Sequence, residues 1–234
     1  MSNILQDGIL QTVSELDDTA RASLVSKMDQ YINEIILFNS AYNLTNTSDH
    51  DELVVRHILD SLAGYEIIKK YADDFAGNGA PVIIGDIGSG GGLPGIPLAA
   101  AFLCAQAQGQ DGAGIQFKLV ERMAKRCSFL ENCCALLGLK NTEVKNLEAE
   151  RVPPQCFDII TFRAFRPLDE AMTKTLLRMV KTGGVLCAYK AKSDNIKEEM
   201  NGIKSLVSEY EVVPLKVPGL EDSERNMVVI RRGP

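Results

Sequence analysis

The sequence predicts an α/β protein: a mainly parallel, doubly wound sheet with an antiparallel closing strand, preceded by a helical N-terminal extension. Three observations lead to this prediction. Residues 1–75 show helical periodicity, short β-branched runs alternate with helical segments from residue 80 onward, and the last two strands have no helix between them. Strands separated by helices form parallel sheets, because each helix returns the chain across one face. We therefore expect a helical extension over 1–75 and a main domain over 80–234, with the extension packed on that domain.

Two amphipathic helices are expected in the extension. Asp18 or Thr19 can cap the first, whose apolar residues recur at three- and four-residue steps: Leu24, Met28, Ile32, Ile35 and Phe38. Asp49 followed by Glu52 is a capping-box pattern that predicts the start of the second helix. The stretch Asp73–Pro81, rich in Asp, Gly and Asn, is expected to link the extension to the main domain.

Seven short strands are expected in the main domain: Val82–Ile87, Phe117–Glu121, one near Val144, Phe157–Phe162, Val185–Tyr189, Val212–Leu215 and Met227–Ile230. Helices are expected from about Pro94, around Cys127 to Leu137, over Pro167–Val180, and from a Ser193 cap to about Tyr210. Gly183–Gly184 is expected to turn the chain before the fifth strand.

Composition is that of an ordinary globular protein, with 45% hydrophobic and 24% charged residues, so a folded core is expected throughout. No apolar run reaches the length of a membrane span, and the N-terminus lacks the pattern of a signal peptide. The six cysteines show no paired spacing and only two histidines occur, which disfavours a metal site and indicates reduced thiols. These features predict a cytoplasmic protein with no metal and no membrane attachment, and we expect it to be a monomer.

The net charge of −6 argues mildly against a nucleic-acid partner, since such proteins usually present a basic surface. Net charge is a global sum, however, and a local patch can still attract phosphate. Residues that could form one are Arg163, Arg166, Lys190 and Lys192. Charge alone leaves the question open.

A glycine-rich loop follows the first strand and is the strongest local signal. Six glycines lie between Gly85 and Gly95. A loop without Cβ atoms allows a ligand to approach the backbone, and in open parallel sheets it lies at the carboxyl edge, where ligands bind. Glu121 ends the next strand, where a carboxylate can accept hydrogen bonds from both ribose hydroxyls of a nucleotide cofactor. The segment therefore predicts a cofactor site.

Two cofactors fit this loop. Gly90-x-Gly92-x-x-Gly95 satisfies the dinucleotide fingerprint, so NAD is one of them. Asp86 stands two residues before Gly88, however, and the resulting Asp-x-Gly-x-Gly-x-Gly pattern resembles motif I of class I methyltransferases. There the acidic residue lies near the methionine end of S-adenosylmethionine. The residue pattern favours S-adenosylmethionine without excluding NAD.

Several segments together resemble the RsmG (GidB) family of ribosomal RNA guanine-N7 methyltransferases. They are Asn43-Leu44-Thr45, the helix segment Arg56–Leu62, the loop Gly88–Leu98, Arg163-Ala164-Phe165, Tyr189-Lys190 and Glu224-Arg225-Asn226. The similarity extends from about Tyr42 to Arg231. Arg-His-Ile-Leu-Asp-Ser combined with Leu-Pro-Gly-Ile-Pro is specific to the family, whereas the glycine loop alone is not.

The resemblance implies a class I, Rossmann-like enzyme that methylates N7 of guanine 527 (reference numbering) in the 16S rRNA of the bacterial small ribosomal subunit. With motif I, it implies cofactor-binding residues at Asp86, Gly88, Gly90, Leu93, Glu121, Ala149, Glu150 and Arg163. Arg163 would also lie near the guanine and is the candidate catalytic residue; candidate RNA contacts are Arg56, Phe165 and Lys190. The chain departs from the family at Glu148, where relatives often carry Arg, and in the longer loop Gln106–Gly114, to which we assign no role.

The implied chemistry requires little of the protein besides positioning. Guanine N7 carries a free lone pair at neutral pH, so its attack needs no general base. His57 is accordingly expected to pack, and Lys125-Arg126 to lie on an exposed helix face. Two alternatives use the same loop: an NAD-dependent oxidoreductase, and a catalytically silent RNA-binding module.

Overall fold

A computed structural model describes residues 4–78, 80–109, 114–164 and 168–233. Its sheet has seven strands: β1 Val82–Ile87, β2 Ile115–Glu121, β3 Thr142–Asn146, β4 Phe157–Arg163, β5 Val180–Lys190, β6 Glu211–Pro214 and β7 Asn226–Arg231. Their order is β3-β2-β1-β4-β5-β7-β6. Strands β1 to β5 pair in parallel, and β7 runs antiparallel to both β5 and β6. The predicted fold class is confirmed.

The strand order places a crevice at the carboxyl edge. From β1 the chain proceeds outward to β2 and β3, then returns to place β4 on the other side of β1. The loops that follow β1 and β4 therefore leave in opposite directions, which is the switch point where open α/β sheets bind ligands.

Nine α-helices lie among the described residues: α1 Ile4–Thr12, α2 Asp18–Tyr42, α3 His50–Leu53, α4 Asp60–Leu62, α5 Tyr65–Phe75, α6 Gly95–Gln106, α7 Ala124–Leu136, α8 Glu170–Met179 and α9 Ser193–Gly202. A π-helical turn, Val54–Leu59, joins α3 to α4. Helix α2 contacts α6 and α7, and its buried Leu24 and Ile35 belong to the same core as Ile84 and Leu119 of the sheet. The N-terminal helices therefore cover one face of the sheet.

The cap of α2 is one residue earlier than the sequence predicts. Asp17, in extended conformation, accepts a hydrogen bond from the Ala20 amide at 2.8 Å, whereas Asp18 begins the helix. Either aspartate has a suitable side chain, and only the backbone conformation at residue 17 selects between them. Part of the expected linker Asp73–Pro81 was also assigned wrongly, because α5 continues to Phe75.

The predicted cap at Asp49 is confirmed, but the capping box is not completed. Asp49 accepts from the Glu52 amide at 2.8 Å. The Asp49 amide donates instead to Thr47 Oγ1 at 3.2 Å, and the Glu52 carboxylate pairs with Arg56 one turn onward at 3.1 Å. A local hydroxyl thus replaces the glutamate as acceptor.

Three boundaries in the C-terminal half were also wrong. Gly183–Gly184 lies inside β5, because a register shift opposite Phe157 lets the strand bulge there, with Gly183 at φ 80°. Helix α9 ends at Gly202 instead of Tyr210, since Ile203 and Val207 turn into the core. Ser193 is the first residue of α9 and not its cap; its amide donates to Glu224 Oε1 at 3.0 Å.

No helix in the described ranges is long and apolar enough to cross a membrane. The same ranges contain no cluster of three or more His, Cys, Asp or Glu side chains able to hold a metal ion.

Candidate active site

Two adjoining cavities open at the carboxyl edge of the sheet. The first cavity, of about 360 Å³, lies beside the end of β2 and is lined by residues that include Glu121 and Ala149. The second cavity, of about 740 Å³, lies between the end of β4 and the N-terminal helices. Gly88, Arg126 and Ala164 line both. An elongated ligand can therefore extend from one cavity into the other.

The glycine loop forms the floor where the cavities meet. Gly88 and Gly90 have φ of 71° and 60°, a left-handed conformation that side chains other than glycine rarely adopt. A Cβ at Gly90 would have no heavy atom closer than 3.8 Å, so the space above the loop is open. Leu93, which is buried, lines the second cavity beyond it.

Asp86 holds the loop from beneath. Its Oδ2 accepts from Ser89 Oγ at 2.7 Å and from the Gly95 amide at 3.1 Å, while its Oδ1 is buried without a hydrogen-bond partner among the described residues. Burial raises the pKa of Asp86 to about 6, although the bonds from Ser89 and Gly95 favour the charged form. The side chain lines neither cavity, so the structure gives Asp86 a supporting position, and its direct contact with a cofactor stays a prediction.

Asp86→Asn is expected to remove a pH dependence of stability. Because the folded-state pKa is raised from about 4 to about 6, this carboxyl group contributes stability that is complete below about pH 4 and lost as the pH rises through 6. The loss is about 3 kcal/mol, for two pKa units at 1.36 kcal/mol each. Asparagine keeps an acceptor oxygen but cannot ionise. Urea unfolding of both proteins should be measured at several pH values from 4.5 to 7.5. As the pH rises, the free energy of unfolding of the variant should increase relative to that of wild type. If the two free energies change with pH in parallel, the prediction is wrong.

Glu121 joins the loop to the first cavity. Its buried carboxylate accepts from the Gly90 amide at 3.0 Å through Oε2 and from the Met123 amide at 2.8 Å through Oε1. An ionised carboxylate has about four lone-pair sites, so two remain for ligand hydroxyls. The predicted Ala149 and Glu150 lie on the same cavity, in a short 3-10 turn. Glu121 thus has acceptor sites for ribose hydroxyls, whereas contact of Ala149 and Glu150 with a cofactor stays a prediction.

Arg163 stands at the end of β4 and connects the sheet to the N-terminal helices. Its Nη1 donates to Asp60 Oδ2 at 2.7 Å and to the His57 carbonyl at 3.3 Å. Arg225, just before β7, donates through Nε to Asp60 Oδ1 at 3.1 Å. One buried carboxylate thus bridges two guanidinium groups on the wall of the second cavity. Such π-helical turns as the one bearing His57 are frequent at functional sites.

His57 is neutral at neutral pH. Burial, then the positive charge of Arg163, lowers the pKa of His57 to about 4. Arg163 Nη2 lies 3.3 Å from His57 Nδ1, and because a guanidinium can only donate, Nδ1 accepts and the proton is assigned to Nε2. That Nε2 is enclosed and has no partner among the described residues. The ring packs as expected, but with one nitrogen unsatisfied.

The candidate RNA contacts occupy different positions. Arg56 is half-exposed at the rim of the second cavity and pairs with Glu52. Lys190 lines the same cavity and pairs with Glu199 at 2.5 Å. Phe165, like Arg166, lies outside the described residues. Contact of these side chains with RNA stays a prediction.

Three residues of the site were missed or misassigned from the sequence. Asp60 and Arg225 were noticed only as parts of family-like segments, since nothing local shows that they meet. Arg126 was expected on an exposed helix face, which was wrong: it is half-buried and lines both cavities. Its partner Asn43, whose carbonyl accepts from Nη2 at 2.7 Å, lies 83 residues away at the C-terminal end of α2.

The sequence and the fold are similar to those of known proteins. The GidB family model, described as rRNA small subunit methyltransferase G, matches residues 24–228. Ribosomal RNA small subunit methyltransferase G of Treponema denticola is 36% identical over 98% of this chain and 96% of its own, and that of Borrelia garinii subsp. bavariensis is 33% identical over 89% and 90%. The crystal structure of the tRNA methyltransferase TrmI from Aquifex aeolicus has the same fold, with a TM-score of 0.52 and 13% identity over 73% of this chain and 68% of that one.

Proposed function

This chain belongs to the GidB family of rRNA small subunit methyltransferases G, and from that premise we propose that it methylates N7 of guanine 527 (reference numbering) in 16S rRNA. The family makes the chain an S-adenosylmethionine-dependent rRNA methyltransferase; the nucleotide and the acceptor atom are the proposed part. We place its action on the small ribosomal subunit in the cytoplasm, as a monomer without a metal.

The observation that carries this proposal is that the two cavities adjoin and share Gly88 and Ala164 as lining residues. Glu121 in the first cavity can hold the ribose hydroxyls, and the open space above Gly90 leads toward the second cavity. The second cavity is large enough for a base and is bordered by Arg163. A cofactor bound this way would present its methyl group toward a base beside Arg163.

The chemistry of this site is positioning without a base. Bound S-adenosylmethionine supplies an electrophilic methyl group, and the guanine N7 lone pair needs no proton removed. His57 is the histidine that lines the second cavity, and its Nε2 is enclosed. Asp60 forms a salt bridge with both Arg163 and Arg225, which offsets one of their two positive charges and holds both side chains in place. Residues that order the site, and not ones that move protons, should therefore control the rate.

We expect the rate of methyl transfer to vary little between about pH 7 and 8.5. With its pKa lowered to about 4, His57 does not change its charge in this range, and N7 remains unprotonated. The measurement is single-turnover transfer by rapid quench with bound small subunits and saturating cofactor, so that docking does not contribute. A rate that rises with a midpoint near 6.5, and that loses this midpoint in His57→Asn, would show that a base takes part.

Methyl incorporation into small subunits that lack the modification tests the function directly. Label should appear at guanine 527, and subunits that already carry the methyl group should accept none. Label at another nucleotide would overturn the proposed target. Absence of incorporation with S-adenosylmethionine bound would favour the silent RNA-binding module, and tight binding of NAD in a parallel titration would favour the oxidoreductase.

A further inference from the structure

Arg126 is held in place by the loop that follows α2, which is distant from Arg126 in the sequence. Its Nη2 donates to the Asn43 carbonyl, at the left-handed C-cap of α2. Asn39 fixes this loop, because its Oδ1 accepts from the amides of Leu44 and Thr45 at 2.9 Å each. The guanidinium is thus ordered before any ligand binds, which lowers the entropy that binding costs.

The charge of Arg126 has no acidic partner among the residues that the structure describes. Each of the other cations that border the second cavity forms a salt bridge: Arg163 and Arg225 share Asp60, Arg56 pairs with Glu52, and Lys190 pairs with Glu199. Arg122 lines the first cavity, but it is exposed and does not line the second. Arg126 therefore presents, where the two cavities meet, a guanidinium that forms no salt bridge with the described residues.

The glycine loop leaves room for an anion beside this guanidinium. A Cβ at Gly90 would lie 4.0 Å from Arg126 Nη1, and glycine leaves that space empty. On the other side of the loop, Glu121 accepts from the Gly90 amide and faces the first cavity. A ligand whose ribose binds Glu121 and whose other end passes Gly90 therefore comes within reach of Arg126.

We propose that Arg126 binds the carboxylate of the amino-acid moiety of S-adenosylmethionine. This carboxylate is the only anionic group of the cofactor, and a guanidinium fork matches its geometry. The inference rests on the proposed placement of the cofactor across both cavities. It makes Arg126 a binding residue that orients the sulfonium end, in addition to the residues that the family resemblance supplies.

Calorimetric titration with two ligands tests this assignment without any RNA or turnover. S-adenosylhomocysteine carries the carboxylate, whereas 5′-methylthioadenosine keeps the adenosine and lacks the amino-acid end. Arg126→Ala should lower the affinity for S-adenosylhomocysteine about tenfold to a hundredfold, as expected for a lost hydrogen bond between charged groups. It should leave the affinity for 5′-methylthioadenosine unchanged. Lys125→Ala, an exposed neighbour on α7, is the matched control and should change neither.

Each other outcome overturns the assignment. If the affinities for both ligands fall equally, Arg126 only supports the cavity wall. No change in either, with a smaller salt dependence of small-subunit binding, would assign the guanidinium to an RNA phosphate. Because the titration contains no RNA, its result is independent of whether guanine 527 is the target.

Discussion

Replacing Arg163 by alanine is expected to lower the single-turnover rate of methyl transfer by about a hundredfold while the fold is retained. The guanidinium joins the end of β4 to the π-helical turn through Asp60 and the His57 carbonyl. Alanine removes these contacts from the wall of the second cavity, and displacement of reacting groups by about 1 Å can cost about a hundredfold in rate. Asp60 keeps its bond to Arg225, so the buried carboxylate is not left unpaired.

The measurement is rapid quench at saturating cofactor with bound small subunits, together with a thermal melt to confirm folding. Arg163→Lys should recover only part of the rate, because an ammonium group cannot contact both Asp60 and the His57 carbonyl with a planar fork. Lys174→Ala removes a surface cation that pairs with Glu170 at 3.6 Å, and it should turn over like wild type. Wild-type turnover in Arg163→Ala would remove this residue from the catalytic site.

Replacing Asp60 by alanine is expected to lower the free energy of unfolding by about 3 kcal/mol. The Asp60 side chain is only 8% exposed, and it is the acidic partner of two arginines that are 14% and 24% exposed. Removing one partner of a buried ion pair costs about 3–5 kcal/mol, because the remaining charge is left uncompensated. The partial exposure of both arginines places the expected value at the lower end of this range.

Urea unfolding at neutral pH measures the effect, and Glu52→Ala is the matched control. Glu52 also pairs with an arginine of the same segment, but the two side chains are 39% and 53% exposed. Exposed pairs contribute about 1 kcal/mol or less, since water screens both charges. If the two variants lose the same small amount, the bridge formed by Asp60 does not stabilise the fold.

The local pattern of the sequence was enough to predict the fold class and the part of the site formed by the ends of β1 and β2. Alternation of β-branched runs with helical segments predicts a parallel sheet, and residues that end neighbouring parallel strands meet at one edge. Asp86, the glycine loop and Glu121 were therefore placed together correctly. Boundaries set by single backbone conformations, such as the cap at Asp17 and the bulge at Gly183, were not predictable, since several nearby residues satisfy the same rule.

The sequence by itself determined which strand ends carry glycine and carboxylate, because that information lies within a few residues of each strand. Only the tertiary structure decided the second cavity. Asp60 meets Arg163 and Arg225 across 103 and 165 residues of chain, and Arg126 donates to a carbonyl 83 residues away. Helical periodicity places Arg126 on the polar face of α7. Whether that face contacts water or a neighbouring loop depends on how α2 packs against it. Such long-range packing brings together charges that have no common local pattern.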